Sequence, residues 1–337
     1  MGGPITYLDS ADVAGLCAGL PLVDLARDTL LAVRRGEAGL FPETGLRWTN
    51  PAGAAARSLI LPAWAGTSYG CKIINASLGN QALGLPRAAG LIVLNDPETA
   101  QPVCVMEGAR ISALRTAAVS VAALRAARDL GAVTSVAFLG SGRQAEVHLE
   151  LLAPLCPRLG EVVLHDVVRG QAEKLAEALS TTRPGVRVAE DARSAVSGAD
   201  ITIAVTTTTE PYVDLDWVAP GATFVNVSLD DATEGLLLGC DHLFVDDWDL
   251  VVDDDHRLLG KLARSGRVSA PGTAAPEGGR AVDADLPALF SGEYTRPITA
   301  TDRVVVNPFG MGVHDVAIAA AVHATALERG IGLALPR

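Results

Sequence analysis

The stretch SVAFLGSGRQAEVHLELL, residues 135–152, decides how the chain folds. Ser135–Leu139 leans apolar, Gly140-Ser141-Gly142 interrupts it, and residues with helical periodicity begin at once. The spacing Gly140-x-Gly142-x-x-Ala145 gives each small residue a task. The first glycine permits a tight turn, the second lets the backbone approach a pyrophosphate, and Ala145 lets the helix pack closely on the strand. N–H groups at the start of the helix then face the anion. Gly140, Ser141, Gly142, Arg143 and Gln144 are therefore candidate dinucleotide-binding residues. Taken alone, the motif is also compatible with an ordinary tight turn.

The next strand adds an acid. EVVLHDVVRG carries Asp166, twenty-six residues after Gly140. A carboxylate there accepts hydrogen bonds from the adenosine ribose hydroxyls and repels a 2′-phosphate, so NAD is expected over NADP. Arg169 leaves room for NADP, and capping of the following helix is the competing role for Asp166. VTTTTEPYV places Thr206 and Thr207 after a further strand, where backbone and hydroxyls line a cofactor; β-propensity accounts for the threonines equally well. Thr116 and Ser228 complete the expected cofactor set.

Outward from this unit, SVAFLG, EVVLHD, DITIAVT, TFVNVS and HLFVDD read as strands separated by helical stretches such as GQAEKLAEALS and DARSAVSGA. That alternation predicts a parallel, doubly wound sheet. Upstream, RSLILPAW, CKIINAS, AGLIVLND and QPVCVMEG are short β-rich segments joined by turns, a pattern of hairpins. Residues 10–35 carry helical periodicity after a Ser10 cap, interrupted near Pro21. Residues 111–130 form an Ala-rich helix, which either crosses between domains or lies against one. Residues 267–282 read as a loop, and a last helix begins near Val313. The expected class is α/β: a Rossmann-type doubly wound domain over residues 119–310, and a smaller α+β domain for substrate binding and dimerisation over 1–118, completed by 311–337.

Composition bounds the function. The chain has 337 residues, 49% of them hydrophobic, enough for a large core. Its net charge is -12, from 27 basic and 39 acidic side chains, with no basic patch in sequence. Nucleic acid and anionic membranes are therefore poor partners. Five scattered cysteines and no zinc spacing point away from disulfides and metals, towards a reducing cytoplasm. Neither a signal segment nor an apolar run of spanning length is read.

GCKIINAS, GLPRAAGLIVLNDPETAQPVCVMEG, ISALRTAAVS, FLGSGRQAEVH, VNVSLDD and NPFGMGVHD, taken together, resemble the ornithine cyclodeaminase/mu-crystallin family over nearly the whole chain. LPRAAGLIVLND, MEGARISALRTAA, VSLDD, LFVDDWD and NPFGMG are most similar to its 2,3-diaminopropionate-forming branch, the N-(2-amino-2-carboxyethyl)-L-glutamate dehydrogenases of siderophore and peptide-antibiotic pathways. The resemblance implies NAD-dependent oxidation of a secondary amine, then hydrolysis of the imine to 2-oxoglutarate and L-2,3-diaminopropionate. It also implies a nucleotide domain, a substrate domain, and a homodimer formed through the latter's sheet.

The resemblance further implies roles for individual residues. Arg47 in GLRWTN and Arg115 in LRTAA match carboxylate-binding arginines, a role that suits a planar bidentate fork; an ordinary ion pair is the alternative for each. Arg87 is a further cation without a catalytic role. Lys72 is one of only three lysines, with Lys174 and Lys261. Among Cys71, Ile73 and Ile74 its ammonium would be desolvated and its pKa lowered, suiting it to bind a carboxylate or exchange a proton. The competing reading is an outward-pointing edge lysine. Asp231 matches a catalytic aspartate that holds the substrate amine, with Asp230 as the register alternative and a solvated turn as the plain one. The stretch ATEG lacks the lysine that cyclodeaminases carry just after that aspartate, which weighs against ornithine-to-proline chemistry. Gly310, Met311 and Gly312 offer amides to a substrate carboxylate at a helix start. Asp315 is expected to cap or pair without a catalytic role, and Glu107 to orient Arg115 or the substrate. The acidic run 245–256 lacks the glycine and closing glutamate of a calcium loop; it reads as a solvated face, with no metal. The rival functions are a cyclodeaminase, a cyclic ketimine reductase, and a nucleotide-binding crystallin-like protein without turnover.

Overall fold

A computed structural model describes residues 3–183, 185–228 and 230–337. It divides into two compact units, Met1–Thr116 with Met311–Arg337, and Ala117–Gly310. The division falls inside one helix, Ala109–Ala127.

The first unit is built on an eight-stranded sheet. From edge to edge it runs Leu333–Leu335, Ile5–Leu8, Pro102–Glu107, Ala88–Asn95, Ser68–Ser77, Ala55–Ala65 and Ala38–Leu40, with Thr44–Thr49 also pairing to Ala55–Ala65. The four β-rich segments upstream of the long helix form its antiparallel centre. The turn between Ala65 and Ser68 has two residues, and Gly66 sits at φ +57°. Side chains alternate between faces along each strand. Leu59, Ala63, Ile92, Leu94 and Met106 are buried on one face, and the helices Val313–Arg329 and Leu22–Arg34 belong to this unit's core. The other face carries the cross-strand row Ile60, Ile73, Leu91; Ile60, Leu91 and nearby Tyr69 are exposed. The first helix, Ser10–Cys17, is capped by Asp9, whose carboxylate accepts from the Ala11 and Asp12 N–H groups. Ser10 is the first helical residue, not the cap. The break near Pro21 separates this helix from Leu22–Arg34.

The second unit is a parallel eight-stranded sheet. Its order is Val186–Val188, Glu161–His165, Ser135–Leu139, Ile201–Ala204, Thr223–Asn226, Val304–Asn307, His242–Val245 and Ala284–Asp285. The chain runs outward from Ser135–Leu139 in one direction, then returns and runs outward in the other. Strand order thus reverses between Ser135–Leu139 and Ile201–Ala204, at the place where such sheets bind ligands. Three strands were not foreseen: Val186–Val188, Ala284–Asp285 and Val304–Asn307. Val304–Asn307 inserts between Thr223–Asn226 and His242–Val245, and its uniform valines give no alternation to mark it. Residues 267–282 are not wholly loop either, since Val268–Ser269 pairs with Arg280–Ala281. Among the described residues, no helix is long and apolar enough to cross a membrane.

Candidate active site

The glycine turn lies at the carboxyl end of Ser135–Leu139. Gly140 has φ +89°, and a Cβ there would fall 2.8 Å from the Val205 carbonyl oxygen. Only glycine fits on both counts. Gly142 differs. Its φ is −90°, and a Cβ would meet no protein atom within 4 Å. Neither backbone strain nor protein packing demands glycine there, and the space beside it is open. The helix Arg143–Leu152 starts without a side-chain cap, so its first N–H groups are offered to an anion. Ser141 Oγ and Gln144 Oε1 are buried with no hydrogen-bond partner. Ala145 is buried at the helix–strand contact, while Arg143 reaches outward to Glu146 at 2.6 Å. The residues present fit a dinucleotide.

Asp166 is tied to this turn. Its two oxygens accept from the Ser141 N–H at 2.8 Å and the Val168 N–H at 2.9 Å. The helix Arg169–Ser180 has no side-chain cap bond, so capping is not the role of Asp166. Arg169 pairs with Glu173 at 2.8 Å.

Across the strand-order reversal lies a buried carboxylate, Asp231. Its Oδ1 accepts from Thr206 Oγ1 at 2.8 Å and from the Tyr212 hydroxyl at 3.0 Å. Its Oδ2 accepts from Ser228 Oγ, which in turn accepts from the Thr206 N–H at 3.1 Å. Burial raises the pKa of Asp231, and the three hydroxyl bonds oppose that rise. This is not a solvated turn carboxylate. Three hydroxyls occupy its oxygens, and it is fully buried. Asp230 is spent on the Leu258 N–H at 2.6 Å. Thr207 is exposed, whereas Thr206 is held inside this network.

In the first unit, Lys72 is 1% exposed. It is no edge lysine, because its strand lies between Ala55–Ala65 and Ala88–Asn95 and its side chain enters the covered face. Nζ donates to Asp315 Oδ2 at 2.7 Å and to Ser112 Oγ at 3.1 Å. Desolvation, with a smaller effect of the Arg115 charge, pulls its pKa down to about 8 against the opposing attraction of Asp315. Arg115 Nε stands 3.5 Å from the same Asp315 oxygen. That nitrogen and Asp315 Oδ1 are buried without hydrogen-bond partners. Two cations thus share one carboxylate, leaving net positive charge and unspent polar atoms in a buried place. Such a site favours an anionic guest.

Asp315 therefore pairs, as expected, but at the centre of the cluster. Sequence reasoning missed Ser112, although its position three residues before Arg115 on one helix was a usable signal. Thr116 donates to the Ser112 carbonyl at 2.9 Å. Arg47 is not brought into contact with the cluster. Its side chain is 62% exposed and lies 4.0 Å from Glu43, whose charge reaches Lys72. Glu107 caps the helix Ala109–Ala127 by accepting from the Ala109 and Arg110 N–H groups.

The Gly-Met-Gly turn also departs from expectation. The Phe309 and Gly310 N–H groups donate to Asp246 at 2.9 and 2.7 Å. The protein's own buried carboxylate takes the Gly310 amide intended for a substrate. Asp246 also shows that the acidic run is not one solvated face, since it is 1% exposed. Met311 is buried, and Gly312 lets its helix approach the sheet, since a Cβ there would lie 2.9 Å from Leu61 Cβ.

A sequence profile of the ornithine cyclodeaminase/mu-crystallin family matches residues 21–330. The chain belongs to that family. One member, the N-((2S)-2-amino-2-carboxyethyl)-L-glutamate dehydrogenase of Staphylococcus aureus (strain NCTC 8325 / PS 47), is 28% identical over 287 residues, covering 83% of this chain and 82% of the relative. The crystal structure of CmnK superposes with a TM-score of 0.90 at 34% identity, over 99% of both chains. The Thermococcus litoralis Delta(1)-pyrroline-2-carboxylate reductase, solved with NADH and L-proline, shares the fold at 22% identity and a TM-score of 0.84, over 98% of this chain and 100% of its own. Within the ornithine cyclodeaminase/mu-crystallin family, then, this chain presents a Rossmann-type sheet and a second, α+β unit.

Proposed function

We propose that this chain oxidises N-(2-amino-2-carboxyethyl)-L-glutamate, or a near relative, with NAD, and releases 2-oxoglutarate and L-2,3-diaminopropionate for siderophore or peptide natural-product synthesis. Its coarse class, a nicotinamide-dependent amino acid dehydrogenase of the ornithine cyclodeaminase/mu-crystallin family, follows from family membership. The substrate is the content of the proposal. The observation that carries it is the buried group of Lys72, Arg115 and Asp315, with its surplus positive charge. The name of the Staphylococcus aureus relative supports this choice among carboxylates.

A bound nicotinamide nucleotide would supply the hydride acceptor for the glutamyl α-carbon. Gly142 and the uncapped helix start would hold its pyrophosphate, and Asp166 its adenosine ribose. Arg115 pairs with a substrate carboxylate. Lys72, with a pKa of about 8, takes the proton from the amine nitrogen and supplies it during hydrolysis of the imine. Asp231 is a positioning residue: it orients Thr206 and Ser228, which line the cofactor. The protein acts in the cytoplasm, where its five free cysteines remain reduced. A second copy covers the row Ile60, Ile73, Leu91.

The test is incubation of the purified protein with NAD and N-(2-amino-2-carboxyethyl)-L-glutamate. NADH, 2-oxoglutarate and L-2,3-diaminopropionate are expected in equal amounts. Absence of all three products ends the proposal. Ammonia released from ornithine without net NADH points to a cyclodeaminase instead, and NADH consumed with a cyclic imine points to a reductase.

A further inference from the structure

We propose that Ser112 is a positioning residue for Lys72: together with Asp315 it pins two of the three ammonium hydrogens and leaves the third as the proton that is exchanged. The consequence for catalysis rests on the function proposed above and deepens it; the pinning itself rests on geometry alone.

An ammonium donates hydrogen bonds and cannot accept them. Both partners of Lys72 Nζ are therefore acceptors: Asp315 Oδ2 at 2.7 Å and Ser112 Oγ at 3.1 Å. The nitrogen is tetrahedral, so two fixed N–H directions determine the third. Among the described residues nothing pairs with that third hydrogen. A group that takes or gives a proton needs a fixed aim, because transfer demands a short, aligned contact.

The helix Ala109–Ala127 shows that the Ser112 hydroxyl is committed to this contact. The helix is rich in alanine, the best helix former, and serine there costs helix stability. A hydroxyl inside a helix can turn back to the carbonyl four residues earlier. Thr29, Thr116 and Thr325 do so, at 2.7, 2.9 and 2.9 Å. Ser112 does not; its Oγ meets Lys72 on the sheet. Arg115, three residues on and on the same side of the helix, approaches the same Asp315 oxygen through Nε.

The choice of a hydroxyl has an electrostatic reason. The charges that reach Lys72 are Asp315 on the helix Val313–Arg329, Arg115 on the helix Ala109–Ala127, and Glu43 just before the strand Thr44–Thr49. Burial holds the neighbouring His314 neutral, its pKa lowered to about 4. A second buried carboxylate in place of Ser112 would raise the pKa of Lys72 and cancel the surplus positive charge. A hydroxyl holds the nitrogen without adding charge, so Lys72 is aligned and still releases its proton near pH 8.

The experiment exploits the scarcity of lysine. Wild type, Ser112→Ala and Ser112→Thr are produced with isotopically labelled lysine, and the Cε signals of Lys72, Lys174 and Lys261 are followed by NMR against pH. Lys72→Met identifies the first of them. Removing an acceptor destabilises the charged form, so Ser112→Ala is expected to lower the Lys72 titration by about one pH unit. Ser112→Thr is expected to leave it in place. In turnover of N-(2-amino-2-carboxyethyl)-L-glutamate, kcat at the alkaline plateau is expected to fall about tenfold in Ser112→Ala with KM kept, and to recover in Ser112→Thr. An unmoved Lys72 titration in Ser112→Ala, or a moved titration with a full plateau, overturns the positioning role. A moved titration where even the wild type does not turn over the amine upholds the pinning and removes the proposed function instead.

Discussion

Lys72 Nζ lies 2.7 Å from Asp315 Oδ2, and the two side chains are almost wholly withdrawn from solvent. One residue comes from the middle of a sheet and the other from the first turn of a helix 243 positions later. The attraction of Asp315 does not restore an ordinary lysine, because desolvation is the larger effect. The outcome is an ammonium that loses its proton near pH 8.

That value sets a pH dependence. The folded pKa is about 8 and the ordinary value 10.5. Between them the unfolded chain binds more protons at this site, so Lys72 makes folding stability rise with pH over that window. Amine oxidation needs the uncharged form, so kcat/KM should climb about tenfold per pH unit below pH 8 and level off above it. Lys72→Met should remove the inflection and lower the rate roughly a hundredfold or more. A pH–rate profile of both proteins decides this, and an unchanged inflection in the variant assigns the titration elsewhere.

The two glycines of the turn should separate cleanly. Gly140→Ala forces a side chain into left-handed backbone, which alone costs about 1–2 kcal/mol, and drives a Cβ against Val205. Its Tm should fall. Gly142→Ala meets no protein atom, so its Tm should match the wild type while NADH affinity drops at least tenfold. Differential scanning calorimetry with fluorescence titration of NADH reads both effects. Equal NADH affinity in Gly142→Ala would remove the pyrophosphate from this turn.

Much of the second unit was legible because its signals are local. The strand before Gly140, the helix after it and the acid ending the next strand all lie within residues 135–166, and alternation of strand and helix gives the doubly wound class. Val304–Asn307 was not legible, since three like valines followed by an asparagine carry no period. The same limit held at the cluster: desolvation of Lys72 follows from its apolar neighbours, but a partner at position 315 is a tertiary fact. Asp246 stood among several aspartates, and nothing in that run marks which one turns inward to take the Gly310 amide. Asp9 and Ser10 both suit a helix cap, so one residue of register lay below what sequence distinguishes.

Asp231 should behave as a support for its hydroxyl neighbours. Asp231→Ala leaves Thr206, Tyr212 and Ser228 without their acceptor, at a cost of about 1–3 kcal/mol. Asp231→Asn should keep more of the stability but weaken NADH binding about tenfold, because Thr206 and Ser228 lose their fixed orientation. Urea titration and NADH titration of each variant measure these separately. A variant with native NADH affinity and abolished turnover would instead make Asp231 a group that touches substrate.

The open row Ile60, Ile73, Leu91 predicts an assembly. Ile60→Asp combined with Leu91→Asp places charge on that face without entering the Lys72 side. Sedimentation velocity should find a dimer for the wild type and a monomer for the double variant. An unchanged mass moves the interface to another surface.

The two-residue turn at Gly66 and Thr67 has a bearing on chemistry far beyond its size. Because side chains change faces at every step, one inserted residue there would exchange inside for outside along all of Ser68–Ser77. Cys71 or Ile73 would then stand before Asp315, and the lysine would emerge among Ile60 and Leu91 as an ordinary solvated amine. Parity, fixed by the shortest loop in the sheet, is what brings position 72 to Asp315.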